Sequence, residues 1–317
     1  MRRLILYSII ALVFISCETS RVLYNDPQEI GFTALAGNVT KADLAETHSS
    51  MGVFSYFTNT DNLYFDDTKF ILSGEGNKWS GNQYWPLGAP VDLDFVVYAP
   101  YKNDVLSNDG ATYATAYYNR HTNILTIHVP YKTPNNPKGQ ADYLYGERIY
   151  TGDVTSYSET GIPVRLRHAM AKITVKITSS LSDVYEYVGI TMYSTRQAGY
   201  FEIDYNTDPA TCTAENGSGG YNHEFTGVEK GTILTQDISD AGSFWVFPSK
   251  QQTLEIKYKM VNFDSVVFTK TIDLSIGSDP WEPGKHYIYT IIMNPVKISI
   301  VPTVDEMDAV YKEGLNL

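Results

Sequence analysis

Cysteine is nearly missing: the chain has 2 in 317 residues, Cys17 and Cys212. With Cys17 lipidated, as argued below, Cys212 has no partner. A disulfide framework is therefore excluded, and stability must come from buried cores. Positive charge is also scarce, with 24 Lys+Arg against 36 Asp+Glu and a net charge of −12. Nucleic acid demands basic patches that displace counterions, so it is excluded as a partner. Electrostatic docking on anionic lipid fails for the same reason. Long helical periodicity is absent. So is an apolar run long enough to span a bilayer, which takes about 20 residues. Catalytic signatures are missing too: there is no Gly-x-Ser-x-Gly elbow and no phosphate-binding glycine loop. His223-Glu224 is not followed by a second histidine at zinc-site spacing. Neither an enzyme nor a cofactor is expected.

The N-terminus reads as an export signal over residues 1–16. Arg2 and Arg3 supply the positive start, Leu4 to Ile15 is apolar except at Tyr7 and Ser8, and Ser16 is the small residue before Cys17. These are the parts of a secretory signal. A cysteine directly after the small residue predicts a lipoprotein with lipid on Cys17, although Phe14 stands where Leu is commoner. Two or three acyl chains at ~0.8 kcal/mol per buried CH₂ give firm anchoring. The polar Glu18, Thr19 and Ser20 then lead the chain away from the membrane.

What remains is rich in strand patterns, with 25 Tyr, 13 Phe and 4 Trp in a chain that is 43% hydrophobic. Ala171, Ile173, Val175 and Ile177 alternate with polar residues, as do Leu254, Ile256, Tyr258 and Met260. Successive side chains of a strand point to opposite faces, so each segment has one apolar face. Asp92 and Asp94 alternate with Val91, Leu93 and Phe95, which places both carboxylates on a wet face. Ile124–Val129 and Phe244–Phe247 read as shorter strands, and Tyr287–Met293 as a central covered one. Asn294-Pro295 predicts a turn into a terminal strand from Val296 to Val301. Val304, Met307, Val310 and Tyr311 suit a short C-terminal helix. Thr213–Gly220 reads as a flexible loop. Many short strands between turn residues predict an all-β fold of β-sandwiches. Length suggests two units, 17–165 and 166–317, with the junction near Gly161-Ile162-Pro163.

Several landmarks together resemble the fimbrillin family of Bacteroidetes pilus lipoproteins. They are Glu29–Ala34, Thr40-Lys41-Ala42, Met51–Tyr56, Tyr84-Trp85-Pro86, Leu93–Tyr101, Ala141–Gly146, Arg167–Ile173 and Trp281–Tyr289. The resemblance implies two tandem transthyretin-like β-sandwich domains and a surface fimbrial subunit that serves in adhesion. It further implies partners: other subunits joined by strand exchange, the outer membrane through lipid on Cys17, and a host or bacterial surface ligand, glycan or protein. In that scheme a protease removes the first strand, and a neighbour's strand fills the groove. Ile30, Phe32 and Ala34 alternate as a removable strand should. Val296, Ile298 and Ile300 alternate as a donor should. Lys41 is the candidate processing position, and it departs from the arginine of the family. An unprocessed, lipid-retaining base anchor is therefore one alternative. A glycan-binding outer-membrane lipoprotein that never polymerises is another. The family's tryptophan near the C-terminus is also replaced, by Val304-Asp305-Glu306.

One further motif carries weak chemistry. Asp204, Asn206, Asp208 and Glu215 match positions 1, 3, 5 and 12 of a calcium loop. Pro209 stands where the loop needs glycine, so a plain polar loop is the expectation.

Overall fold

A computed structural model of the chain describes residues 27–34, 49–73, 78–87, 91–104, 113–130, 141–151, 161–196, 198–218, 220–250, 253–263, 265–274, 280–295 and 297–307. Within these the fold is all-β. In the first half the strands are β1 (Glu29–Ala34), β2 (Ser50–Phe57), β3 (Leu63–Leu72), β4 (Lys78–Tyr84), β5 (Leu93–Ala99), β6 (Thr115–Asn119), β7 (Ile124–Val129), β8 (Leu144–Gly146), β9 (Ile149–Thr151), β10 (Ile162–Val164) and β11 (Leu166–His168). In the second half they are β12 (Ala171–Ser179), β13 (Tyr185–Thr195), β14 (Ala198–Asp204), β15 (Thr211–Ser218), β16 (Tyr221–Phe225), β17 (Ser239–Val246), β18 (Thr253–Met260), β19 (Phe268–Asp273), β20 (Lys285–Met293) and β21 (Ser299–Glu306).

The largest sheet runs β10-β1-β4-β3-β2-β5-β8-β11, with β9 beside β5. Its two end strands, β10 and β11, are one run of chain broken only at Arg165. The sheet therefore curls towards closure. Ile30, Phe32, Val53, Phe70, Trp79, Phe95, Ile162 and Val164 fill one side of it. The other side of β2, β5 and β8 carries Phe54, Tyr56, Val96, Tyr98 and Tyr145, which pack on a second sheet, β15-β14-β7-β6. That second sheet is built from both halves of the chain. The hairpin β14–β15, whose residues follow position 165, pairs with β7 in register Phe201↔Ile127. Because β2 and β5 have a core on each face, nearly every residue in them is buried. β18 and β20, by contrast, bury mainly alternate residues, while β12 also covers Thr174 and Thr178 on its polar side.

The third core lies between sheets β17-β12-β20-β21 and β16-β13-β18-β19. Ala171, Ile173, Val175, Ile177, Tyr289 and Ile291 meet Tyr187, Ile190, Met192, Leu254 and Ile256 there. β20 is one of the two inner strands of its first sheet, pairing with β12 in parallel and β21 antiparallel. Asn294 and Pro295 make the predicted turn between β20 and β21.

Three local expectations are corrected. Asp94 is not on a wet face. Its side of β5 looks into the second core, and the carboxylate is 2% exposed. It survives there because Arg120 Nη2 lies 2.7 Å away and Arg148 Nη2 2.5 Å away; a buried charge needs such partners. Thr213–Gly220 is not a loop through most of its length: residues 211–218 form β15, whose backbone bonds are supplied by β14. The C-terminal helix is replaced by strand, since β20 offers a free edge to residues 299–306. Val310 and Tyr311 lie outside the described residues.

Candidate functional site: the first strand and the last

β1 sits inside the curled sheet, not on a free edge. It runs parallel to β10 with Phe32↔Ile162, and antiparallel to β4 with Phe32↔Trp79. Ile30 and Phe32 are 0% exposed. The Phe32 ring stands edge-on to Phe70 and to Phe95, each with centroids 5.2 Å away. This is the favoured geometry for aromatic pairs. At Gly31, between the two apolar residues, a Cβ would lie 2.0 Å from Lys78 Cε, so the lysine stem closes over bare backbone. Trp85 N–H donates to Gln28 O at 2.8 Å and ties the start of the strand. β1 is thus a short six-residue segment that fills a deep place. Its side chains are the plug, and Phe70, Trp79, Phe95, Ile162 and Val164 are the walls. Sequence patterning found the plug and missed the walls, which come from four other strands.

β21 is different in kind. It pairs with β20 alone, in register Ile291↔Ile300, and forms the edge of its sheet. Ile298 and Ile300 pack partly buried against the third core. Beyond them Val301 is 48% exposed and Val304 53% exposed. Pro302, which cannot donate a ladder hydrogen bond, fits an edge position. Lys285 pairs with Glu306, and Met307 N–H donates to Gly284 O at 2.9 Å. As the edge of its sheet, β21 leaves one row of backbone N–H and C=O groups without a strand beside it. Cys17, Lys41 and Val296 lie outside the described residues, as does the side chain of Ala34.

The chemical candidates resolve into structural roles. Asp204 Oδ1 accepts from Asn206 N–H at 2.8 Å, and Asn206 Nδ2 donates to Thr122 O at 2.8 Å, so this turn clasps the β6–β7 turn. Among the described residues no group of three His, Cys, Asp or Glu is placed to hold a metal. His168 Nδ1 lies 2.7 Å from Asp142 Oδ2, and its ring stacks on Trp245. Burial alone would lower the pKa of His168. The Asp142 carboxylate outweighs burial and holds the ring above its ordinary value. His223 has no such partner. It stacks on Phe244 with centroids 3.9 Å apart, and burial pushes its pKa down to about 4.

Comparison with known proteins decides what this architecture is. The fimbrillin-like family model matches residues 38–306. The chain belongs to the fimbrillin-like family. Among solved structures, a fimbrial protein from Bacteroides vulgatus is 15% identical with a TM-score of 0.62, covering 88% of this chain and 99% of its own. A candidate cell adhesion protein from Bacteroides uniformis is 17% identical with a TM-score of 0.54, covering 89% and 98%. At these identities the likeness speaks for a shared fold. No curated protein sequence matches the chain.

Proposed function

We propose that this fimbrillin-like protein is a surface fimbrial subunit, exported as a lipoprotein through Cys17 and assembled by strand donation. On this reading β1 is a temporary occupant, removed by cleavage near Lys41. A strand from a neighbouring subunit then enters between β10 and β4. The tail at Val296, Ile298 and Ile300, leading into β21, is the donor. The two tandem units of this reading meet near residue 165, with the hairpin β14–β15 of the second joined to β7 of the first; the first offers the groove and the second the donor. The observation that carries the proposal is the burial of Ile30 and Phe32 at 0% exposure within a strand of six residues. Each such side chain contributes about 1.5–3 kcal/mol by burial. With β1 gone, an open core and two unpaired strand edges demand a replacement, and main-chain pairing with alternate side chains supplies it.

Lys41 favours a second version, in which the strand stays and the lipid holds the protein as a fimbrial base anchor. The N-terminus of the protein recovered from cells separates the two. A chain beginning at lipidated Cys17 supports the anchor; one beginning at Ala42 supports the polymerising subunit. Soluble protein beginning elsewhere, with no lipid at any stage, overturns both.

A further inference from the structure

Most glycines of this fold have a reason visible in their surroundings. A Cβ at Gly31, Gly52, Gly146 or Gly199 would lie within 3 Å of a neighbouring side chain, and Gly161, Gly231, Gly242 and Gly284 hold positive φ. Gly189 has neither reason. It lies inside β13, its φ is outside the left-handed region, and nothing comes within 4 Å of where its Cβ would be. Glycine within a strand costs about 0.5–1 kcal/mol relative to alanine. It often marks a bulge or a place where something must approach the backbone closely. β13 does bulge here, between Tyr187↔Tyr258 and Gly189↔Lys257. The bulge type that requires glycine needs it left-handed, and Gly189 is not.

The space over Gly189 is a cavity of about 260 Å³. The neighbouring chain explains why it exists. β16 pairs with β13 only from Phe225↔Ile190 onward. Nearer its start β13 is bonded instead by residues 231–234: Gly231 N–H donates to Tyr187 O, and Tyr187 N–H to Thr232 O, both at 2.8 Å. Between these attachments the chain swings across to β17, where Gly227 N–H donates to Ala241 O at 2.7 Å. Val228 is buried in the third core. The detour leaves a gap beside residues 188–189. Val188, Phe225 and Val228 give the cavity an apolar base, and Glu224, Glu229, Lys230 and Lys257 stand around it. Lys257 is shared with Glu255 at 3.1 Å. Glu224, Glu229 and Lys230 make no ion pair or side-chain hydrogen bond among the described residues.

We propose that the cavity over Gly189 binds the terminal sugar of a neutral glycan. Pockets for drug-sized ligands span about 300–1,000 Å³, so this one suits a single ring-sized end group. A pyranose presents a C–H face to the apolar base and hydroxyls that both donate and accept. The rim has carboxylates to accept and ammonium groups to donate, in equal number, so it favours no net charge. An anionic sugar would meet two carboxylates, and a cationic one two ammonium groups. The missing side chain at 189 lets the ring settle against the strand backbone. The site gives the adhesive reading a ligand class and takes its biological meaning from that reading. It lies on the β16-β13-β18-β19 sheet, which contains neither β1 nor β21.

The test uses the full chain purified in detergent, applied to a glycan array and then titrated calorimetrically with each neutral monosaccharide that terminates a bound glycan. Binding to neutral termini is expected. Gly189→Val should weaken it at least tenfold with the thermal midpoint unchanged or raised, because valine suits a strand and has room there. Lys230→Ala, on an exposed loop, should weaken it several-fold. Three results overturn the proposal: no neutral glycan bound, binding confined to charged glycans, or Gly189→Val binding like the parent chain. These readouts need no polymer, so failed strand exchange leaves them unchanged, and failed sugar binding leaves strand exchange unaffected.

Discussion

Replacing Phe32 by alanine strikes the plug of the groove. The side chain is 0% exposed and contacts Phe70 and Phe95 edge-on at 5.2 Å. Truncating a buried phenylalanine to alanine costs about 3–5 kcal/mol. That loss should fall on the attachment of β1 before it falls on the whole molecule, since β1 is tied by its ladders to β10 and β4 and has no part in the third core. Detachment of β1 is then a local opening with its own free energy. Native-state hydrogen exchange reads it directly. Amides of residues 30–34, 79–80, 162 and 164 should lose about 3–5 kcal/mol of protection, while amides of β12 and β20 lose less than about 1 kcal/mol. Val304→Ala, at a position 53% exposed, is the control and should stay within about 0.5 kcal/mol of the parent. A Phe32→Ala loss under about 1 kcal/mol, or an equal loss in β12, would refute the view of β1 as a separately removable plug.

Two further outcomes follow from buried charge. Asp94→Ala leaves Arg120, whose side chain is 10% exposed, without its carboxylate; breaking a buried pair costs about 3–5 kcal/mol, to be seen in chemical denaturation. The pKa of His223 is depressed to about 4, so its contribution is present above the ordinary value near 6.5 and is lost as pH falls towards 4. The loss should reach about 2 kcal/mol by pH 5, and His223→Phe should flatten that stretch of the stability curve. His168 works with the opposite sign. Its raised pKa stabilises the fold below 6.5, and the gain fades as pH rises through the folded value. His168→Gln should therefore narrow the stability difference between pH 6 and pH 8, measured by thermal melting.

Period-two patterning made the faces of β12, β18 and β7 legible in the sequence, because each strand has one apolar side and residue spacing reveals it. Ile30 and Phe32 were legible for the same reason. What patterning cannot reveal is the partner across a sheet. Asp94 looked solvated because its neighbours alternate, while its counter-charges come from Arg120 and Arg148, far along the chain. β15 looked like a loop because its Asn216-Gly217-Ser218 end has weak strand propensity, which pairing with β14 overrides. β21 looked helical at Val304 because four residues at helical spacing cannot be distinguished from a strand until an edge such as β20 is known. Gly189 carried no signal at all: its meaning lies in the absence of neighbours.

The central claim is that removing β1 creates a groove that another subunit must fill. Cutting the purified chain after Lys41 and following it by electrophoresis without boiling tests this most directly. The expected result is conversion of monomer into a ladder of detergent-resistant oligomers, suppressed by an excess of a synthetic peptide covering residues 296–306. Cleaved protein that has lost residues 29–34 and remains monomeric would contradict the account.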